Sequence, residues 1–257
     1  MTENESSADR FRAAADPDLT EDLALALLNR PDLSAAILEE LAKNVSALKS
    51  RKVKISLASH RNAPRHVSVP LVRQFYAFDL MKIALSPSVP ADVRVVADNT
   101  LISRLKAVTA GERLTLARRA SGRVAAALLL DLENMDGKIK DDRLEGGKVK
   151  NAQARVRETR VMRTALENPR LTETLVIDSV LRPTAGAALV QAIAQHAKWS
   201  CRREIRAALL RTEHLSLARA LAFSHEMPAL LLRELLASSR LPNPIKRQLL
   251  RQPDAKA

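Results

Sequence analysis

Apolar and polar positions along the chain keep returning to one short phrase. Leu27 to Leu38 reads LLNRPDLSAAIL: an apolar run, a break through Asn29 and Pro31, an isolated Leu33, then Ser34 and a resumption of apolar residues. Variants follow as ALSPSVPADV (Ala84 to Val93), ALENPRLTETLV (Ala165 to Val176) and LLASSRLPNPI (Leu235 to Ile245). Each predicts the end of one amphipathic helix and the start of another. Proline stops the first helix where it occurs, because it lacks an N–H and pushes its predecessor out of the α region. Ser34 and Thr172 are predicted to cap the next helix by accepting a bond from a free backbone N–H. Pro90 and Pro242 suit a first helical turn, where no N–H is needed. Leu33, Val89, Leu171 and Leu241 stand just before these positions, where an apolar side chain packs down on the new helix as a staple.

Looser copies occur at Ala63 and Pro64 in RNAPRHV, at Leu215 and Ser216 in TEHLSLARAL, and at Trp199 and Ser200. The steps from Thr172 to Ser200 and from Ser216 to Pro242 fall in the roughly 20 to 50 residues of stacked helical repeats. Trp199, the only Trp, occupies the apolar slot of its copy, so it is predicted to be a buried staple at the start of the helix CRREIRAALLR and not a stacking surface for a base. Composition agrees with helices. Hydrophobic residues make up 46% of the 257, yet aromatics are 2% and there are 6 Gly, so the apolar content is Leu, Ala, Val and Ile. That mixture favours an all-α fold with little or no strand.

The phrase resembles the repeats of leucine-rich-repeat-variant and HEAT-like proteins, with Asn168, Pro169, Leu171 and Thr172 matching best and the other copies in part. The resemblance covers about two thirds of the chain. It implies a right-handed α-solenoid of stacked helix pairs with an extended face for proteins and sometimes nucleic acids. Some leucine-rich-repeat-variant proteins hold an iron–sulfur cluster on several Cys; here Cys201 is alone, so no cluster and no other cofactor is expected.

The predicted organisation is a flexible acidic arm over residues 1–18, helical repeats over 19–132, a charged Gly-containing loop or hinge over 133–151, further repeats over 152–252 and a tail over 253–257, all as one continuous solenoid. The segment from Ser46 to Pro70 has weak periodicity. Residues 1–18 are acidic and lack an apolar core, which argues against a signal peptide. Leu71 to Leu85, the most apolar run, is interrupted by Arg73, Asp79 and Lys82 and does not read as a membrane span. One Cys and 5 His suit neither a disulfide framework nor a structural zinc site, and a cytoplasmic protein is expected.

Searches for catalytic motifs fail. Gly147 and Lys148 lack the earlier glycine of a phosphate loop, where Asp142 stands, and the following hydroxyl, where Val149 stands. His225 to Ala229 begins like a zinc-protease helix, but Ala229 replaces the second His and Pro228 breaks the helix. No Gly-x-Ser-x-Gly elbow occurs. Cys201 reads as an incidental residue, and His196 as a capping or surface one. The sequence therefore predicts a protein that is not an enzyme.

Charge is the remaining signal. The formal net charge is +13. Acids dominate Met1 to Glu40, whereas Leu41 to Phe78 has none and carries Lys43, Lys49, Arg51, Lys52, Lys54, Arg61, Arg65 and Arg73. Such segregation predicts either an anion-binding patch or a basic segment screened by the acidic arm. A second set, Lys198, Arg202, Arg203, Arg206 and Arg211, recurs at near-helical spacing. The candidate binding residues are Lys49, Arg51, Lys52, Lys54, Arg61, Arg65, Arg73, Lys198, Arg202, Arg203 and Arg206. The expected function is a non-enzymatic scaffold whose basic surface docks an acidic or amphipathic protein segment. The alternatives are a nucleic-acid binder contacting phosphates, and an enzyme resembling the HEAT-like alkylpurine DNA glycosylases, for which Trp199 and Tyr76 are the only large aromatics of the required kind.

Overall fold

The computed structural model describes residues 2–131 and 147–251, with side chains described from 7 to 131 and from 156 to 251. Among the described residues there are seventeen α-helices, two short 3-10 helices and no strand. The fold is all-α. No helix among the described residues is long and apolar enough to cross a membrane. The chain forms two compact units, Met1–Ala107 and Val108–Ala257.

The first unit holds α1 (Thr2–Ala15), α2 (Glu21–Leu28), α3 (Ala35–Lys43), α4 (Arg51–Ser59), α5 (Arg65–Val72), α6 (Ala77–Leu85) and α7 (Ala91–Ser103). Helices of 8 or 9 residues such as α2 and α3 are too short to persist alone in water, so each depends on what it packs against. Here α1 packs on α3, α2 on α4 and α5 on α7, while α4 with α5 and α6 with α7 make adjacent pairs. The packed faces are those the pattern marks: Ile37, Leu38 and Leu41 on α3, Val53, Leu57 and Ala58 on α4, Val67, Leu71 and Val72 on α5. The weakly periodic segment therefore forms two ordinary helices. Ser34, Pro64 and Pro90 are the N-caps of α3, α5 and α7, so in this unit the repeated phrase marks every second helix.

The acidic segment predicted as an arm is helical over Thr2–Ala15. Ala14 and Leu19 are buried, and Asn44 donates from Nδ2 to the carbonyls of Ala14 (3.0 Å) and Asp16 (2.6 Å). Two apolar side chains and two held carbonyls outweigh an acidic composition. Among the described charges of this segment, Asp9 pairs with Arg12 on the same helix, and Arg10 reaches Asp32 at 2.7 Å.

The second unit holds α8 (Ala110–Arg119), α9 (Gly122–Asp131), α10 (Gly147–Leu166), α11 (Glu173–Leu181), α12 (Ala187–Gln195), α13 (Ala197–Ser200), α14 (Arg203–Leu210), α15 (Leu217–Ser224), α16 (Ala229–Ala237) and α17 (Asn243–Leu250). Packing again joins alternate helices: α8 to α10, α9 to α11, α10 to α12, α11 to α14, α14 to α16 and α15 to α17. A buried ion pair, Arg113 to Asp131 at 2.7 Å, ties α8 to α9. Of the predicted loop over 133–151, residues 133–146 lie outside the described residues, and from Gly147 onward the chain is helical as α10. The tail from 252 lies outside them too.

Cap details refine the expected turns. Thr172 caps α11 by accepting from Leu175 N–H at 3.4 Å, whereas Ser34 and Ser216 occupy N-cap positions without a side-chain bond. Pro90 and Pro242 sit at the N-cap in extended backbone, one step before the first turn. Ser200 ends the four-residue α13, and Arg202 is the N-cap of α14. The staples Leu33, Val89, Leu171, Leu215 and Leu241 are all buried.

What ties successive loops together is a side chain that reaches back to the carbonyls of an earlier loop. In the first unit Asn44 does this over 28 and 30 residues, Asn62 to Pro31 and Leu33 over 31 and 29, and Arg104 to Arg73 and Phe75 over 31 and 29. His60 adds Nε2 to Arg30 O at 2.9 Å; because its Nδ1 accepts from Asn62 N–H, the proton on Nε2 is the one donated. In the second unit Trp199 reaches Leu166 O over 33 residues and Ser239 reaches Leu210 O over 29. Asn168 does the same to Ala117 and Ala120 over 51 and 48 residues, the larger separation accommodating the 20-residue α10 and the segment before it.

These contacts generate two stability predictions. Asn168 is 1% exposed and its Oδ1 also accepts from Arg170 N–H, so Asn168→Ala strands buried polar groups and is expected to cost about 2 to 4 kcal/mol in urea or thermal unfolding. A methyl on Gly122 would meet Arg170 O at 2.2 Å, whereas one on Gly111 meets nothing within 4 Å. Gly122→Ala should therefore destabilise by about 1 to 3 kcal/mol, while Gly111→Ala, inside α8, should be neutral or stabilise by up to about 1 kcal/mol.

Candidate functional site

The predicted basic residues of the first unit are exposed or half-buried, but three are already engaged. Arg51 and Lys52 open α4, at the positive end of a helix dipole where cations are disfavoured. Acids from neighbouring helices offset this. Lys52 meets Glu21 at 3.1 Å, and Arg51 donates through Nε and Nη2 to Asp79 Oδ2 at 2.9 and 2.5 Å while lying 5.0 Å over the Tyr76 ring. Lys52, and then Ser50, hold the Glu21 carboxyl below its ordinary pKa by hydrogen bonding to the charged form. Arg65 faces Asp92 at 4.0 Å and its neighbour His66 faces Glu39 at 3.4 Å. An acid-free stretch of sequence thus acquires its counter-charges from the helices packed on either side.

Lys49, Lys54, Arg61 and Arg73 have no ion pair among the described residues. They do not converge. Lys49 precedes α4 and Arg73 follows α5, whereas Arg61 lies in the short α4–α5 turn, at the opposite end of that helix pair. An open depression of about 610 Å3 lies along α5 over Arg65, His66, Val69 and Pro70, its two polar residues being those that face Asp92 and Glu39.

In the second unit the predicted cations gather around Trp199. Trp199 is 1% exposed and donates from Nε1 to Leu166 O at 2.8 Å, so it is a buried staple and is not available to stack on a base. Lys198 Nζ lies 4.1 Å and Arg202 Cζ 5.7 Å from its ring centre, cation–π contacts that hold both side chains to this loop. Arg202 also meets Glu173 at 2.8 Å. Arg206 points elsewhere: it donates to Ser200 O at 2.6 Å, pairs with Glu226 and lies over Phe223. Arg203 is exposed with no ion pair among the described residues. Of the predicted stripe, Arg202 and Arg206 are therefore paired with carboxylates, while Lys198 and Arg203 are exposed and have no ion pair among the described residues.

Sequence reasoning passed over Arg118, Arg119 and Arg170. Arg170 donates from Nη1 to Arg119 O at 3.2 Å, and its own carbonyl abuts Gly122, so the turn after α8 and the turn after α10 lie against each other. Arg118, Arg119 and Arg170 are exposed and lack an ion pair among the described residues. The available signal was the string RRASGR at Arg118 to Arg123, legible as a basic turn only once Arg170 is known to pack beside it.

Among the described residues no group of three or more His, Cys, Asp or Glu is placed to hold a metal ion. Cys201 is exposed and donates to Lys198 O at 3.2 Å. No family model matches the chain, and no curated protein or solved structure matches it either.

His196 caps α13, its Nδ1 accepting from Lys198 N–H at 3.2 Å. Desolvation by burial lowers its pKa from 6.5, with Lys198 adding to the effect and Glu167 opposing it. The folded state thus favours the neutral ring that this cap requires. Because the unfolded chain binds the proton more readily, the contribution is present above about pH 6.5 and is lost as pH falls through the depressed folded value. Urea unfolding followed by Trp199 fluorescence should show stability declining below that pH, with a shallower decline in His196→Gln.

Proposed function

We propose that this chain is a non-enzymatic helical-repeat protein, an α-solenoid in its local construction, that docks an acidic segment of a partner protein. The supporting observation is the recurrence of loop-to-loop hydrogen bonds at 28 to 33 residues, each fixing a turn whose outer side chains face solvent. A surface built from rigid, repeated turns suits recognition of an extended chain, because little order has to be imposed on binding. The net charge of +13 selects an anionic ligand. A protein segment is favoured over nucleic acid because the single Trp is buried and the exposed cations alternate with carboxylates such as Glu167 and Glu204, which a uniform phosphate backbone would meet at a cost.

Fluorescence anisotropy with a labelled Asp/Glu-rich peptide and with duplex DNA and RNA separates the readings. Peptide binding should survive at physiological salt, while nucleic-acid binding should fall by roughly a thousandfold between about 50 and 200 mM salt and become negligible. Tighter binding of DNA or RNA than of peptide at physiological salt would replace this reading with the nucleic-acid one.

A further inference from the structure

Five exposed cations of the second unit lie on three successive turns that are physically joined. Arg118 and Arg119 close α8, Arg170 lies between α10 and α11, and Lys198 and Arg203 flank the turn between α13 and α14. The first turn meets the second through Arg170 Nη1 on Arg119 O and through Asn168 on Ala117 O and Ala120 O. The second meets the third through Trp199 on Leu166 O and Arg202 on Glu173. We infer that these turns form a docking strip for an extended, carboxylate-bearing peptide segment of a partner protein, with Arg118, Arg119, Arg170, Lys198 and Arg203 as its contacts. The inference rests on the reading of the chain as an acidic-segment binder and assigns that role to one edge of one unit.

Three features argue for the strip. None of the five cations has a carboxylate partner among the described residues, whereas Arg202 and Arg206 beside them do. Two of the five are held in place: the Arg170 guanidinium by Arg119 O, and Lys198 by the Trp199 ring at 4.1 Å. Their cost of ordering on binding is correspondingly reduced. The spacing also fits. Packed helices lie roughly 8 to 10 Å apart, so three stacked turns cover about 20 Å, which an extended chain of about six residues spans at its usual rise. Glu167, Glu173 and Glu204 sit on the same turns, so the strip is interrupted, matching a peptide in which acids alternate with other residues.

The test compares the whole chain with Arg118→Glu/Arg119→Glu, with Arg203→Glu and with a control, Lys49→Glu, in the first unit. Each binds a labelled ten-residue peptide of alternating Glu and Ala at physiological salt, after circular dichroism and urea unfolding have confirmed the native fold. All four substituted residues are exposed and have no ion pair among the described residues. The expected result is a loss of roughly tenfold in affinity for the double variant and about threefold for Arg203→Glu, because reversal exchanges attraction for repulsion, with the control unchanged. Peptide bound equally by wild type and strip variants would overturn the strip while leaving the acidic-segment reading standing. Equal loss in the control would reduce the effect to net charge and overturn it as well. Absence of peptide binding to the wild-type chain removes both.

Discussion

A helix that ends in a turn leaves carbonyls without intrahelical partners, and a fold made of short helices has many such ends in few residues. In this protein a polar side chain from a later turn bonds carbonyls at those ends or in the turns just beyond them: Asn44, Asn62, Arg104, Asn168, Trp199 and Ser239 all do so. The donors differ in chemistry, being amide, guanidinium, indole and hydroxyl, yet the acceptors are always backbone oxygens. Buried carbonyls must be satisfied, and a donor carried by the neighbouring turn satisfies them and fixes register in the same contact. Apolar faces decide that alternate helices pack; these bonds decide at what offset.

The sequence displayed the helices and their starts because proline, hydroxyl caps and lone staples act locally. Leu33, Val89, Leu171, Leu215, Leu241 and Trp199 were all recognisable as buried from three or four neighbours. Polar donors were not recognisable for what they bond. Nothing local to Asn44 or Asn62 marks it as a long-range donor, and Asn168 stands out only as part of a repeated phrase, since a partner about thirty or fifty positions away leaves no local trace. Composition is silent at one place: near the acidic start of the chain Ala14 and Leu19 are buried and Asn44 grips the end of α1, contacts that composition does not encode.

Charge shows the same division between near and far. The stretch from Leu41 to Phe78 contains no acid, but Glu21, Glu39, Asp79 and Asp92, which frame it in sequence, face it in space. Much of what appears as a basic patch in one dimension is a set of ion pairs in three. Conversely, Arg118, Arg119 and Arg170 look unremarkable apart and come together because a turn after α8 is held against a turn after α10. For this fold the informative charge map is therefore drawn across turns that touch, not along the chain.

Asn168 differs from its counterparts in one respect: it spans 48 and 51 residues where Asn44 spans 30 and 28. The entropy of closing a loop grows only with the logarithm of its length, so the longer tether costs about half a kcal/mol more. Register at this joint is thus indifferent to how much chain separates the two anchored ends. The geometry of the joint is inherited from its anchors, Ala117, Ala120 and Asn168, whatever path the chain takes between them.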